Sequence, residues 1–418
     1  MHQVSRLWLV CLILGAALVE AAAADDWPRW RGPNFNGVAA EGQAPPTSWT
    51  DTKNVVWKTE VPGRGHSSPV IIGSQIFLTT ADEAAQTQSV VSFDRKTGER
   101  LWMTEVNKGG FPAKIHSKNT HASPTVAYAG ERLFAVFNNH DRAQLACLDM
   151  AGKLLWQKDA APYVPNKYKF GFAPSPLIYK DTVIVSSEFD GEGSSLAAMR
   201  LTDGEEVWRT ARPQKTSYSS PIVAHVAGRD QLLLSGCGHV TSYDPATGKE
   251  LWQCEGPAAA TCGTLVWDGD LVFASGGYPQ KETLAVKADG SAEVVWRNGD
   301  KSYEQSMLAH DGFLYALNDT GIAMCWNAQT GKLQWRERLS GPVSASPILA
   351  GGNLYTCNEK GTFFVYKADP KNFQLVAKNQ LGDESFATPT IVDSKIYLRV
   401  ADSSGGKRRE TLYCIGEN

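Results

Sequence analysis

The sequence predicts an all-β chain, an eight-bladed β-propeller whose ring is closed by an N-terminal strand. Three observations carry this expectation. A turn that ends in tryptophan recurs every 39 to 54 residues, and a Ser-Pro marker recurs between the tryptophans. Short β-branched and aromatic runs, separated by turn residues, fill the space between them.

The turn is plain in Asp94-Arg95-Lys96-Thr97-Gly98-Glu99-Arg100-Leu101-Trp102. It returns as Asp244–Trp252 and Asn327–Trp335, with weaker copies ending at Trp156, Trp208 and Trp296. Trp57 precedes the series. The marker reads Ser68-Pro69, Ser123-Pro124, Ser175-Pro176, Ser220-Pro221, Ser346-Pro347 and Thr388-Pro389, with degenerate copies near Cys262-Gly263 and Ser306-Met307. That makes eight units with a mean step of about 46 residues.

Within a unit, Val70–Ile72, Ile76–Thr79 and Val90–Phe93 read as short strands. Asp and Thr side chains bond the turn backbone, and Gly98 supplies a positive φ. Trp102 is a large flat ring suited to packing on the next unit. Each unit is thus a four-stranded antiparallel sheet that cannot bury both faces alone, and radial stacking buries them. The last unit, Phe386–Ile415, holds about three strands and no final tryptophan. Strand Asn54–Lys58, carrying Trp57, is expected to complete it and so remove the open edge.

The domain plan is a signal peptide at residues 1–24, a lead segment at 25–53 and the propeller at 54–418. Met1–Arg6 carries one Arg, Leu7–Val19 is almost wholly apolar, and Ala21–Ala24 precedes Asp25-Asp26. This is the layout of a secretory signal cleaved after Ala24, with an uncleaved anchor as the alternative. The apolar core is short beside the roughly 20 residues of a membrane span. Cys11 lies inside the apolar stretch, so no lipid anchor is expected there. No later segment is apolar enough to span a membrane, and the mature chain is expected to be exported, periplasmic or extracellular.

The 418 residues are 42% hydrophobic and 20% charged, with a formal net charge of −3. These values exclude a disordered or collagen-like chain and a polytopic membrane protein. They also argue against a nucleic-acid partner. Beyond Cys11 stand Cys147, Cys237, Cys254, Cys262, Cys325, Cys357 and Cys414, an odd set with no C-x-x-C. Most read as buried free thiols. Cys254 and Cys262 are close enough in sequence to bridge, which spacing alone leaves open.

The D-x-x-T-G-x-x-x-W unit resembles that of the pyrroloquinoline-quinone (PQQ)-like propeller superfamily, and Asp26-Trp27-Pro28-Arg29-Trp30-Arg31-Gly32-Pro33 resembles the opening of many exported members. The resemblance covers almost the whole mature chain. It implies one of two activities. One branch contains quinoprotein dehydrogenases, which oxidise alcohols or sugars with bound PQQ and usually Ca²⁺. The other contains the BamB-like propeller lipoprotein of outer-membrane β-barrel assembly, a non-catalytic scaffold. The vicinal cysteine pair of the alcohol-oxidising type and a haem attachment motif are both missing from this sequence.

Other catalytic signatures are also missing: G-x-S-x-G, H-E-x-x-H, a phosphate-binding Gly loop and an EF-hand loop. Glu188, Asp190 and Glu192 alternate around Gly191 and Gly193 and read as a solvated acidic turn, so no metal site is predicted. Topology gives a better candidate. Every crossing from one unit to the next lies on one face, and its last residues ring the mouth of the central channel. These are His66, His121, Tyr218, Gln305, Ser344 and Phe386.

Crossings Met103–His121, Gln157–Ala173 and Arg209–Ser217 together carry nine Lys/Arg against Glu105 and Asp159. The nine include Lys114, Lys118, Lys169, Arg212 and Lys215, interleaved with Phe111, Tyr163, Tyr168, Phe170 and Phe172. Such a sector suits a protein partner or a small anionic ligand. The sequence thus reads as an exported non-catalytic scaffold that needs no cofactor. The alternative is a PQQ-dependent dehydrogenase, with His66, His121 and the nearby lysines meeting the quinone carboxylates.

Overall fold

A computed structural model describes residues 26–417. The expected signal segment and Cys11 lie outside the described residues. Among the described residues, 32 strands form eight four-stranded sheets, and no helix is long and apolar enough to cross a membrane. Blades 1 to 7 span residues 70–108, 127–162, 177–211, 222–255, 266–298, 308–338 and 348–380. Each is a simple antiparallel meander from inner to outer strand, as in Val70–Ile72, Gln75–Asp82, Thr87–Asp94 and Arg100–Lys108.

Blade 8 is made from both ends of the described chain. Strands Thr390–Val392, Lys395–Asp402 and Arg409–Ile415 receive Val55–Val61 as their outer strand. The pairing is antiparallel, with Val55 opposite Ile415 and Val61 opposite Glu410. Strand closure therefore occurs as expected, over a longer strand than the sequence suggested.

The repeated turn explains how the blades hold one another. Asp94 Oδ1 accepts hydrogen bonds from the backbone N–H groups of Lys96 and Thr97 at 2.9 and 2.7 Å, and Gly98 takes φ +76°. A Cβ on Gly98 would sit 2.5 Å from the ring of Trp57, so glycine there also admits the indole of the neighbouring blade. The indole Nε1 in turn donates to a carbonyl of that blade's turn. Trp102 reaches Met150, Trp156 reaches Leu201, Trp296 reaches Ala328 and Trp335 reaches Asp369. Trp252 works through a relay: it donates to Gln231 Oε1, and Gln231 Nε2 donates to the Ala288 carbonyl. Trp208 packs on Gly248, but its Nε1 is buried without a partner.

A bulge accompanies each turn in blades 1 to 7, as between Ser92 and Phe93 in blade 1. The outer strand gains one residue there, and in blade 1 that residue is Leu101. Leu101, Leu155, Val207, Val295 and Val376 occupy this bulged position and stand exposed around the rim.

The second marker needs correction. What repeats is a hydroxyl residue two places before the inner strand, not the dipeptide Ser-Pro. The set is Ser68, Thr125, Ser175, Ser220, Thr264, Ser306, Ser346 and Thr388. In blade 2 the element is therefore Thr125-Val126, two residues beyond Ser123-Pro124, and in blade 5 it is Thr264. Backbone N–H groups in this ring donate to the hydroxyl of the next blade. Ser68 reaches Thr125, Thr125 reaches Ser175 and Ser175 reaches Ser220, all within 2.9–3.0 Å. Thr264, Ser306 and Ser346 repeat the pattern towards Ser306, Ser346 and Thr388.

The lead segment packs across the inner strands at the end away from the crossings. Trp27 bridges Ile71, Val38 bridges Leu349, and Trp30 Nε1 donates to Thr264. Arg31, 1% exposed, donates to the carbonyls of Pro347, Met307 and Asn36. One guanidinium thereby ties blades 6 and 7 to the lead across the channel end, with carbonyl dipoles in place of a carboxylate. Apolar clusters join neighbouring blades: Phe77 and Val90 of blade 1, for example, share a cluster with Leu133 and Ala146 of blade 2.

Candidate functional site

The crossing face holds a cavity of about 310 Å³ at the channel mouth. Four of the six residues expected at the mouth line it: His66, Tyr218, Ser344 and Phe386. His121 does not. Its ring stacks under Phe111 at 4.1 Å and faces a separate small gap beside Pro112 and Ile115. Gln305 does not line it either. It is fully buried and its Nε2 donates to the Val343 carbonyl.

The neighbour of Gln305 takes its place. Both residues sit in a bend ahead of the inner strand of blade 6, and it is Glu304 that faces the cavity. Ser344 Oγ, with one proton to give, lies within hydrogen-bond reach of Glu304 Oε2 and, at 2.7 Å, of Glu359 Oε1. Lys118 Nζ also donates to Glu359 Oε1 at 2.7 Å and lies 3.9 Å from Glu304 Oε1. Lys118 stands on the crossing from blade 1 to blade 2, whereas both glutamates belong to blades 5 to 7. The crossing therefore reaches over the mouth and is pinned on its far side.

Burial raises the Glu304 carboxyl above its usual range, and Glu359 and Asp319 add to this against Ser344 and Lys118. His66 is held well below its usual value by burial first, then by Arg64, Arg399 and Arg408, so its ring is neutral. It stacks on Phe386 at 4.4 Å, and its Nε2 is enclosed without a partner. Opposite stands an aromatic wall. Phe170 and Tyr218 stack at 6.0 Å, and Tyr278 meets Tyr168 edge-on at 5.4 Å. Burial also pushes the Cys262 thiol and the Tyr303 hydroxyl up.

The basic sector is smaller than its composition implies. Arg212 does not join it: the side chain is 1% exposed and pairs with Glu188 at 2.6 Å, also bonding Tyr243. Glu188 is correspondingly buried rather than part of a solvated turn, while Asp190 accepts the backbone N–H groups of Asn166 and Lys167. Lys158 and Arg209 pair with Glu205 and Glu206. Lys108, Lys114, Lys167, Lys169 and Lys215 remain exposed and make no ion pair among the described residues. They lie on the crossing loops around the mouth, outside the cavity lining.

No three His, Cys, Asp or Glu side chains among the described residues group as metal ligands. All seven cysteines from Cys147 to Cys414 are free. Cys254 sits on an outermost strand and Cys262 at the channel mouth, the two radial ends of one crossing.

Comparison with known proteins then fixes the lineage. A family model described as outer membrane protein assembly factor BamB matches residues 38–109, 86–327 and 309–372. This chain belongs to the BamB family. It is 24% identical over 379 residues to the outer membrane protein assembly factor BamB of Burkholderia pseudomallei, covering 85% of this chain and 89% of that protein. The protein of the same name from Shewanella oneidensis is 24% identical over 330 residues, covering 73% and 77%. The match to the Legionella pneumophila protein spans only about half of that relative, 47% of its length.

Solved structures share the fold. BamB of Moraxella catarrhalis superposes with a TM-score of 0.61 at 15% identity, covering 86% of this chain and 96% of that one. A europium-containing methanol dehydrogenase gives 0.66 at 13% identity, covering 94% and 98%. The propeller is thus common ground between assembly factor and dehydrogenase, and similarity of fold does not separate the two activities.

Proposed function

We propose that this BamB-family chain is an exported, non-catalytic scaffold that docks a protein partner through its crossing face and serves assembly of outer-membrane proteins. One observation carries the proposal: the assembly-factor family matches most of the propeller, residues 38–372. The five unpaired lysines and the aromatic crossings give the docking surface its character, long-range attraction for acidic surface followed by burial of flat rings.

The dehydrogenase alternative is less well supported by the lining. PQQ carries three carboxylates. The lone Lys or Arg of the cavity, Lys118, is already bonded to Glu359, and a tricarboxylate would sit against Glu304. Like charges so placed repel in a desolvated site.

Deleting the gene and measuring outer-membrane β-barrel proteins in the envelope tests the scaffold. Their levels are expected to fall, and to stay low when the copy supplied in trans carries Lys114→Glu, Lys169→Glu and Lys215→Glu. Unchanged levels in the deletion strain overturn the proposal. Calorimetric titration with PQQ, with and without Ca²⁺, is expected to give no binding heat.

A further inference from the structure

The crossing face was expected to attract anions, yet its cavity has the opposite character. Its lining holds the carboxylate of Glu304 and the ammonium of Lys118, and that ammonium is already bonded to Glu359, which is buried outside the lining. Glu304 Oε1 accepts no hydrogen bond among the described residues. Ser344 serves the other oxygen, and Lys118 stays 3.9 Å away. A carboxylate oxygen on the wall of a largely apolar cavity is thus open to a donor brought by a ligand.

The walls supply what a cation with a hydrocarbon body needs. Rings of Phe170, Tyr218, Tyr278 and Phe386 enclose the space from two sides, and aromatic faces attract cations that have lost part of their water. The neighbouring His66 ring is neutral and does not oppose positive charge. The cavity, about 310 Å³, is of a size that takes a small molecule or one long side chain.

From this juxtaposition we infer that the channel mouth is a binding site for a small organic ammonium group, its head on Glu304 Oε1 and its body between the aromatic walls. The same chemistry is offered by a free amine and by a lysine side chain of a bound protein. The site stands whether or not the outer lysines dock a partner.

Isothermal titration of the full folded chain with butylammonium, tetramethylammonium and Nα-acetyl-lysine amide tests it. Butylammonium is expected to bind with a Kd of about 1 mM or tighter. Glu304→Gln is expected to weaken it about tenfold. Lys118→Met removes the competing ammonium and is expected to tighten it about fivefold, whereas an anion site would lose affinity on the same change. Tyr278→Leu alters a half-exposed ring, leaves the fold intact, and is expected to weaken tetramethylammonium about threefold. Binding of capped lysine as well as butylammonium assigns the site to a partner's side chain, and binding of the free amines alone assigns it to a metabolite. No heat with any of the three at about 10 mM, or weaker butylammonium binding by Lys118→Met, overturns the inference.

Discussion

The indole Nε1 of Trp57 donates to the Arg95 carbonyl at 3.0 Å while its ring covers Gly98. This contact joins blade 8 to blade 1 by the device that joins most other neighbours, so the closing interface is built like an ordinary one. Trp57→Ala removes the ring from the seam and is expected to lower stability by about 3 kcal/mol in denaturant unfolding. Gly98→Ala alone is expected to cost more than about 1 kcal/mol, from its positive φ and the ring overlap. In the double variant the overlap is gone, so the two costs are expected to sum to more than the combined loss. Strict additivity would show that the seam does not depend on this approach.

The buried pair Arg212–Glu188 sits between blades 3 and 4, with the Cys237 thiol 3.3 Å from the same carboxylate oxygen. Arg212→Met leaves Glu188 buried without its cation and is expected to destabilise by about 3–5 kcal/mol. Adding Glu188→Leu is expected to restore most of that loss, because two apolar groups need no pairing. Thermal melts of the single and double variants decide it, and a double variant no better than Arg212→Met would refute the account.

Much of the fold was legible because turn chemistry leaves a fixed signature. Asp, Thr and Gly at set offsets before Trp mark a bonded turn, a positive φ and an inter-blade ring, and all three appear in the structure. The Ser-Pro marker was misplaced in two blades because proline is incidental to it. The bonded group is the hydroxyl, and in Thr125 and Thr264 no proline follows it.

The site was legible only in part, for two physical reasons. Glu304, not Gln305, enters the cavity because both sit in a bend ahead of the inner strand, where no alternation rule tells from sequence which side chain turns inward. Glu359 and Tyr278 come from hairpins between middle strands, which share the crossing face. Arg212 looked like a surface cation because its partner Glu188 lies 24 residues earlier in sequence.

Glu304 gives a pH prediction. Its carboxyl is raised in the folded chain, so from its ordinary value near 4.5 upwards the folded state holds more proton than the unfolded state. Stability therefore falls as pH rises through that window. Glu304→Gln is expected to be more stable than the parent at pH 7, with the advantage disappearing as pH drops below about 4.5. Unfolding midpoints across this range check the sign. Ammonium binding should run the other way, failing in acid as Glu304 takes its proton.

The thiols provide a further check. Burial pushes Cys147, Cys325 and Cys357 up to about 12, and Cys237 and Cys262 well above their usual value. Alkylation at pH 8 is expected to be slow in the native chain and, after unfolding without reductant, to label all seven cysteines from Cys147 to Cys414. A mass short of two labels would reveal a disulfide.

Blade 8 also dictates an order of events. Its outer strand, Val55–Val61, is among the first β segments to be synthesised, and its partner Arg409–Ile415 is the last. While a ribosome makes the intervening chain, seven blades can take shape one after another, but Val55–Val61 has nothing to pair with. The nascent molecule therefore carries an unpaired β edge until synthesis is nearly complete, which is the period when it is most exposed to mispairing with other chains.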